Sequence, residues 1–285
     1  MKRNVLNSPR LTELKKRRRK AVLNKILLSL LGLVIVFFLF TYLSHLKNLN
    51  IVEIRVVSDG VVGPEEIKET VKGEITGKYL YLFPKTNILI YPQSSIKDEL
   101  QSKFKRIKSV DLSIEDNKTL FINITERVAK YTWCGDTPVL GAELPREECY
   151  FLDEEGYIFD VAPYFSGEVY FKFFGIPTSE DNYFFKQNFR QLASFKDALV
   201  KLGLKPTSLY VASDGDVEVT LLPGSSATTL PKIIFKLDAD MQNIKENLDT
   251  ALKTEPLKSD FKKKYSSLEY IDLRFGNKVY SKFSK

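Results

Sequence analysis

The stretch ILLSLLGLVIVFFLFTYLSHL, Ile26 to Leu46, runs for 21 residues without Asp, Glu, Lys or Arg. A helix of this length is about 31 Å long and matches the roughly 30 Å hydrocarbon core of a bilayer. Its apolar residues surround the helix and do not form one stripe, which argues against a buried core helix. A cleaved signal peptide usually has a shorter apolar region and a small-x-small cleavage site, which is missing here. The sequence predicts an uncleaved transmembrane helix over residues 26–46.

Positive charge is concentrated before this helix. The chain has a net charge of +7, whereas residues 1–25 alone hold ten Lys or Arg and one acid. KKRRRK at 15–20 precedes the apolar segment and only Lys47 follows it closely, so the positive-inside rule places the basic tail, residues 1–25, in the cytoplasm. Residues 47–285 would lie outside. Topology and lipid contact explain so short a tail, and we expect no nucleic-acid binding.

Residues 47–127 have the pattern of a small α+β domain. Proline followed by two acids marks one helix start, apolar residues at four-residue spacing mark a second helix, and two alternating runs around Asp-Asn-Lys mark a β-hairpin. Two helices would cover one face of a three-stranded sheet. The predicted elements are a strand at 51–57, a helix from Pro64 to just before Gly73, a helix opening at Pro92 with Ile96, Leu100 and Phe104 on one face, and strands at 110–115 and 119–126.

Residues 128–285 are predicted to be rich in strands, with two amphipathic helices. Alternating apolar residues and turn signals at Glu154-Glu155-Gly156, Asp214-Gly215-Asp216 and Gly276-Asn277 predict three hairpins. The first helix is expected to be capped by Ser179 and to end at Gly203, and the second follows the strand IIFKLD. The predicted apolar stripes of the two helices are Phe185, Phe189, Leu192, Phe195, Leu199 and Leu202, and Met241, Ile244, Leu248 and Leu252.

Three stretches together resemble one protein family, and a fourth, which precedes them, resembles a domain of that family. NIVEIRVVSDGVVGPEEIKETV, residues 50–71, resembles the opening of a polypeptide-transport-associated (POTRA) domain. ERVAKYTW, with Glu126, Arg127 and Trp133, resembles the module-joining motif of the bacterial cell-division family FtsQ/DivIB, except that Ala129 stands where that family usually has proline. FLDEEGYIF at 151–159 and YIDLRFGNKVY at 270–280 resemble the hairpin and the C-terminal signature of the same family.

The resemblance implies a membrane-anchored scaffold of the division machinery and not an enzyme. It implies the order basic tail, span, POTRA domain and FtsQ-type β domain. It also implies partners similar to FtsB and FtsL, one of which adds a strand to a sheet edge near the C-terminus. The expected partner-binding residues are Tyr270, Ile271, Asp272, Leu273, Arg274, Phe275, Gly276, Asn277, Lys278, Val279 and Tyr280.

Other interpretations of this C-terminal segment stay open. Asp272 and Arg274 would pair with each other inside the fold, and Phe275 and Tyr280 would cover the core. Lys278, Lys282 and Lys285 are also typical of a natural sheet edge that discourages unspecific pairing. The sequence alone does not separate a partner-binding edge from a protected one.

The two cysteines, Cys134 and Cys149, end and begin two predicted strands on the oxidising side of the membrane. If those strands pair, the sulfurs come within bridging distance, and closing a loop of this size would contribute roughly 3 kcal/mol in the chain-entropy model. We expect a disulfide; two free buried thiols and a metal or redox site are the alternatives.

No catalytic, metal or cofactor site is expected. The single histidine, His45, lies at the outer end of the apolar segment, so the exported residues lack the base of a Ser-His or Cys-His pair. Two cysteines without histidine are too few for zinc. Asp153, Glu154 and Glu155, and likewise Asp214 and Asp216, are interpreted as solvated turn residues. A POTRA-containing transport or assembly factor that binds polypeptide is the alternative function, and an anchored cell-wall enzyme is a weaker one; we expect no small-molecule substrate.

Overall fold

A computed structural model gives the structure of residues 9–58, 60–138, 148–165, 167, 169–177, 182–225 and 230–284; for residues 9–12 it describes the backbone only. Within these ranges the chain has a long apolar N-terminal helix followed by a mixed α and β body, which confirms the predicted α+β class. The chain divides into two compact units, with the boundary between Glu126 and Arg127.

The N-terminal helix α1 spans Pro9–Ser44. Of the helices in the described part of the chain, it is the one that is long and apolar enough to cross a membrane. The helix ends two residues before the predicted Leu46. The side chain of Asn50 caps the end of the helix. Its Nδ2 donates to the carbonyl of Ser44, the last helical residue, at 2.9 Å, and to that of Leu46, just beyond the helix, at 2.8 Å. A 3₁₀ turn, Lys47–Leu49, lies between.

The first unit holds a three-stranded sheet with two helices on one face. The first strand, Glu53–Val57, pairs in parallel with the last, Thr119–Glu126, which pairs antiparallel with Ile107–Glu115; Asp116 and Asn117 turn the hairpin with positive φ. The helices bury Ile67, Val71, Ile96 and Leu100 against the sheet, as predicted. The elements are β1 (Glu53–Val57), α2 (Pro64–Ile75), β2 (Lys78–Tyr79), β3 (Phe83–Pro84), α3 (Gln93–Lys103), β4 (Ile107–Glu115) and β5 (Thr119–Glu126).

Three element boundaries in this unit differ from prediction; one is that of β4, which begins at Ile107 and not at Val110. α2 continues through Gly73 because Ile75 adds another buried residue to the stripe of Ile67 and Val71. β1 begins at Glu53, two residues later than predicted, because the N–H of Val52 is bonded to Lys118 O outside the regular ladder. The short hairpin of β2 and β3 was not predicted.

The described residues of the second unit form a nine-stranded mixed sheet. Its strands are β6 (Tyr131–Trp133), β7 (Cys149–Leu152), β8 (Ile158–Ala162), β9 (Lys172–Phe174), β10 (Pro206–Val211), β11 (Asp216–Leu221), β12 (Lys232–Lys236), β13 (Leu268–Phe275) and β14 (Lys278–Phe283). Their order in the sheet is β14-β13-β12-β11-β10-β9-β6-β7-β8. Parallel pairs occur at β12–β13, β9–β10 and β6–β9, and the other neighbours are antiparallel.

Two longer helices and one short one accompany this sheet: α4 (Phe189–Lys201), α5 (Met241–Lys253) and α6 (Leu257–Lys264). α4 and α5 bury the predicted stripes in one core with the sheet; the rings of Phe195 and Phe235, for example, are 4.7 Å apart. α6 was not predicted, since it buries only Leu257.

The first of these helices starts later than its apolar stripe suggests. Phe185 has a positive φ of 46° and belongs to the turn before α4, while its side chain still packs on the core. The predicted cap Ser179 lies outside the described residues. Gly203, with φ of 81°, follows the helix as predicted.

Candidate partner-binding edge

The nine-stranded sheet ends in β14, and within the described part of the chain no strand pairs with its outer side. The neighbouring strand β13 is internal, because β12 occupies one of its sides and β14 the other. The predicted segment Tyr270 to Tyr280 therefore contains most of an internal strand, a turn at Gly276-Asn277 and the first three residues of the edge. The free backbone groups extend beyond it, to Phe283.

The opposite end of the sheet is less open. At β8, the N–H of Ile158 donates to Asn182 O at 2.8 Å, and Tyr157 forms an isolated bridge with Tyr183. The N–H of Val161 donates to the side-chain oxygen of Asp160 at 2.8 Å. Neighbouring groups thus already occupy part of the β8 edge, and β14 is the better candidate for strand addition.

A bulge in β13 shapes this edge. Asp272 pairs with Tyr280 and Phe275 pairs with Lys278, so β13 has one residue more than β14 between the two pairs. The displaced N–H of Arg274 donates to Asp272 Oδ1 at 3.0 Å. Bulges bend a strand and increase its local twist, so this one sets the direction in which the terminal hairpin leaves the sheet.

The guanidinium of Arg274 holds the bulge in place. Its Nε and Nη2 donate to the two carboxylate oxygens of Asp272 at 2.9 and 2.6 Å, and its Nη1 donates to Asp216 Oδ2 at 2.6 Å. Lys236 completes the group with an ion pair to Asp216. These four residues, the Arg274 cluster, connect β11, β12 and β13. Asp272 and Arg274 therefore act inside the fold, as the internal-pairing interpretation expected.

The cluster also shifts the ionisation of its members. Burial opposes the charged form of Asp272, but the hydrogen bonds of Arg274 outweigh it and hold the pKa of Asp272 below its ordinary value of 3.8. Burial likewise opposes ionisation of Asp216, and the hydrogen bonds from Lys236 and Arg274 lower its pKa as well. Both carboxylates are therefore ionised at neutral pH, which keeps the cluster charged.

The interpretation of Asp216 as a solvated turn residue is wrong. It is the first residue of β11, opposite Lys236, and only 14% of its side chain is exposed. The alternation in β11 gave a usable signal: Val217, Val219 and Leu221 face the core, which places Asp216 on the other face together with residues such as Lys236. The register between strands, which brings these charges together, cannot be read from that alternation.

The corner of the terminal hairpin exposes two aromatic rings. Phe275 is 56% and Tyr280 50% exposed, and their rings lie edge to face at 5.3 Å. They do not cover the core, which the buried Ile271 and Leu273 and the partly buried Val279 line instead. The aromatic pair therefore faces outward beside the open edge.

The lysines on this edge differ in their contacts. Lys278 is exposed, whereas Lys282 makes an ion pair of 2.6 Å with Glu269 on β13, whose hydrogen bond raises the pKa of Lys282. Lys285 lies outside the described residues. The edge thus keeps positive charge next to its free backbone groups.

Of the residues at the predicted module junction, Glu126 belongs to the first unit, and Arg127 and Trp133 belong to the second. Glu126 Oε1 accepts from the N–H of Val62 at 2.8 Å, and Gly60 leaves the space for this carboxylate, since a Cβ there would lie 2.0 Å from it. Arg127 begins the second unit, where it bonds to Asp153 at 2.6 Å and stacks 3.8 Å from the centre of the Tyr157 ring.

The interpretation of Asp153 as a solvated turn residue is also wrong, because Asp153 is only 2% exposed. Besides Arg127, it accepts the backbone N–H groups of Glu155 and Tyr157 at 2.8 and 3.0 Å. Gly156 in this turn has a φ of 81°, and a Cβ there would lie 2.5 Å from the ring of Phe189. The hairpin acid is therefore a structural residue of the second unit.

The cysteines and the tryptophan lie at the start of the second sheet. Cys134 and Cys149 form a disulfide with a Cα–Cα distance of 4.2 Å, next to the paired residues Trp133 and Tyr150. Trp133 Nε1 donates to Gly175 O at 2.9 Å, and its ring packs on the core. Most of the loop between the cysteines, residues 139–147, lies outside the described residues.

Acidic, cysteine and histidine side chains do not gather elsewhere in the described residues: no group of three or more is placed to hold a metal ion. Comparison of the chain with protein-family models gives no match, and comparison with curated proteins also gives none. The case for a function therefore depends on the sequence motifs and the geometry of the edge.

Replacing Arg274 with methionine leaves the buried Asp272 without its cation and Asp216 with Lys236 alone, and we expect the second unit to lose about 3–5 kcal/mol of unfolding free energy. Urea unfolding of the full chain in detergent, followed by the fluorescence of Trp133, the single tryptophan, measures this loss. The control is Arg190→Met, since Arg190 is 78% exposed and pairs with Glu155 at the surface; its cost should be at most about 1 kcal/mol. Equal costs for the two variants would contradict the assigned role of the cluster.

Stability should also fall in acid because of Asp272. Its lowered pKa gives stability that is present above 3.8 and is lost as the pH falls through the lower folded-state value. Asp272→Asn lacks this carboxylate, so the difference in unfolding free energy between the native chain and the variant should shrink as the pH falls from 7 through this range. A difference that stays constant with pH would show that the ionised carboxylate adds nothing.

Proposed function

We propose that this protein is a single-span, non-enzymatic scaffold of the bacterial division machinery, of the FtsQ/DivIB kind. In this proposal α1 crosses the membrane with its basic end in the cytoplasm, the first unit acts as a POTRA domain and the second as the FtsQ-type β domain. The partners are proteins similar to FtsB and FtsL. The observation that carries the proposal is the open β14 edge, which directly follows the Asp-Leu-Arg-Phe signature.

The geometry of β14 suits the addition of one strand. Its backbone N–H and C=O groups on the outer side provide main-chain hydrogen bonds, which supply affinity in strand addition. The Arg274 cluster and the pairing with β13 fix the strand before a partner arrives, so less ordering is required on binding. Because β14 is ordered before binding, its edge is suited to strand addition.

Side chains on β14 indicate what the added strand should look like. Val279 and Phe283 continue the core face, while Lys278, Tyr280 and Lys282 alternate with them on the other face. Directly opposed residues on one face of a sheet interact, and opposite charges there are favourable. We expect a partner segment with apolar residues on the core face and acidic or aromatic residues opposite Lys278 and Tyr280.

Depletion of the protein tests the function class. A division scaffold predicts long, unseptated cells with normal envelope proteins. Normal septation with loss of envelope proteins would contradict it and favour the POTRA-containing transport or assembly factor. An activity reporter fused after Lys285 that works only outside the cytoplasm would support the orientation.

Proline substitution tests the edge itself. Successive N–H groups of an antiparallel edge strand point alternately toward its neighbour and away from it. Of Tyr280→Pro and Ser281→Pro, one should therefore destabilise the pairing with β13. The other should fold normally, since edge strands tolerate proline at outward N–H positions, yet should fail to co-purify with the FtsB- and FtsL-like proteins of the same cell.

The matched control is Val161→Pro, at the opposite edge of the sheet, where the N–H bonds to the neighbouring Asp160 side chain. This variant should keep its partners. Retention of the partners by both β14 variants, or an equal loss in the Val161 variant, would refute strand addition at β14.

A further inference from the structure

We propose that the hairpin of residues 78–84, here called the tip hairpin, inserts the side chains of Leu80 and Tyr81 into the outer leaflet of the membrane. This inference rests on the proposed membrane span of α1. It assigns the first unit a second, direct attachment to the lipid surface in addition to its covalent link to the helix.

The tip hairpin exposes large apolar side chains in an unfavourable turn. Leu80 is 78% and Tyr81 is 94% exposed, with φ angles of 49° and 61°, and the N–H of Leu82 closes the turn on Tyr79 O at 3.0 Å. Turns with positive φ at both central residues normally contain Asn-Gly or Asp-Gly, and bulky side chains are strained there. The strained turn and the exposed apolar surface are both unfavourable in water. Contact with lipid would remove the exposed apolar surface from water.

The hairpin lies beside the apolar part of α1. The ring of Phe83 packs edge to face on Phe37 of α1, with the ring centres 5.7 Å apart. Phe37 precedes the helix end at Ser44 by seven residues, which corresponds to about 10 Å along the helix axis. A hairpin that contacts the helix at this depth extends into the outer leaflet, because residues 38–46 of the predicted span lie between Phe37 and the outer surface.

Buried hydrogen bonds hold the unit against the end of the helix. Asn87 is 3% exposed; its Nδ2 donates to Ser44 O at 3.1 Å and its Oδ1 accepts the N–H of Leu89 at 3.0 Å. The N–H of Ile88 donates to Leu49 O at 3.0 Å. Asn87 follows β3 by three residues, so the segment that fixes the helix end also fixes the tip hairpin beside the helix.

The residues around the tip are those that favour a membrane interface. Tyr79 and Tyr81 are amphipathic, and such rings concentrate at the headgroup level. Lys78 and Lys85 lie at the base of the hairpin, with Lys85 Nζ 5.9 Å from the centre of the Tyr79 ring. Lysines beside a membrane can pack their apolar stems on the hydrocarbon and keep their charged ends at the headgroups. Lipid therefore fits both the apolar tip and the basic base.

Tryptophan fluorescence tests the insertion in the full chain, reconstituted in phospholipid vesicles. In a Trp133→Phe background, single tryptophans replace Tyr81 or Leu80 at the tip, Leu39 in the span, and Val61 as the matched control. Val61 is also an exposed aliphatic residue, at 74%, but it lies near Glu126, at the end of β5 away from the helix. We expect blue-shifted emission and loss of intensity with brominated lipid for Tyr81→Trp, Leu80→Trp and Leu39→Trp, and neither for Val61→Trp.

The position of the bromine adds depth. The tip tryptophans and Leu39→Trp should each lose more intensity with bromine within the acyl chain than with bromine near the headgroup, because the hairpin contacts the helix at Phe37, two residues from Leu39. Quenching at Leu39 but at neither tip position would overturn the inference and leave the anchor intact. Loss of quenching at Leu39 as well would overturn the proposed span. A tip emission that shifts only when FtsB- and FtsL-like proteins are added would contradict lipid insertion and assign the tip to a protein partner.

Discussion

The salt-bridged fork of Arg274 is the interaction on which the second unit's terminal hairpin depends. One guanidinium satisfies both oxygens of Asp272 and one oxygen of Asp216, and Lys236 neutralises the remaining charge. One buried and one largely buried carboxylate would otherwise be costly, because ions removed from water need partners of opposite charge with good geometry. The same contacts compensate the N–H that the β13 bulge removes from the ladder. The cluster therefore explains why the Asp-Leu-Arg motif stands one hairpin before an open edge: it fixes the strand that carries the edge.

The two units are each closed by a charged residue next to their boundary. Glu126 ties the last strand of the first unit to the turn before α2, and Arg127 ties the start of the second unit to Asp153. Both side chains are turned into their own unit. The Glu-Arg pair in the sequence is thus accounted for by contacts that each residue makes within its own unit.

The sequence predicts the parts of this fold that depend on local periodicity. The two-residue alternation of β11 and β14 and the stripes of α4 and α5 are visible because each element buries one face. The β2–β3 hairpin was not predicted because its strands have only two residues each, too few to show alternation. α6 escaped because its residues are mostly polar. The parallel pairs β6–β9 and β12–β13 join segments far apart in sequence, and periodicity contains no information about such pairing.

The same limit explains what was missed at the candidate site. Asp153 and Asp216 lie in or beside turn signals, where acids are usually solvated. Yet Asp153 pairs with Arg127 at the start of the second unit, and Asp216 pairs with Arg274 on another strand. The internal role of Asp272 and Arg274 was left open because two residues of opposite charge at this spacing fit either a partner or each other. The burial of Asp272 and the register of the strands, which are properties of the whole sheet, show that Asp272 and Arg274 pair with each other.

Hydrogen–deuterium exchange of the full chain, with and without the proposed FtsB- and FtsL-like partners, tests strand addition at β14. If a partner strand adds to β14, amides within residues 278–283 gain protection on binding, while those of the opposite edge, residues 158–162, do not change. Unchanged exchange at 278–283 in a complex that forms would contradict strand addition at β14, as would protection confined to residues 158–162.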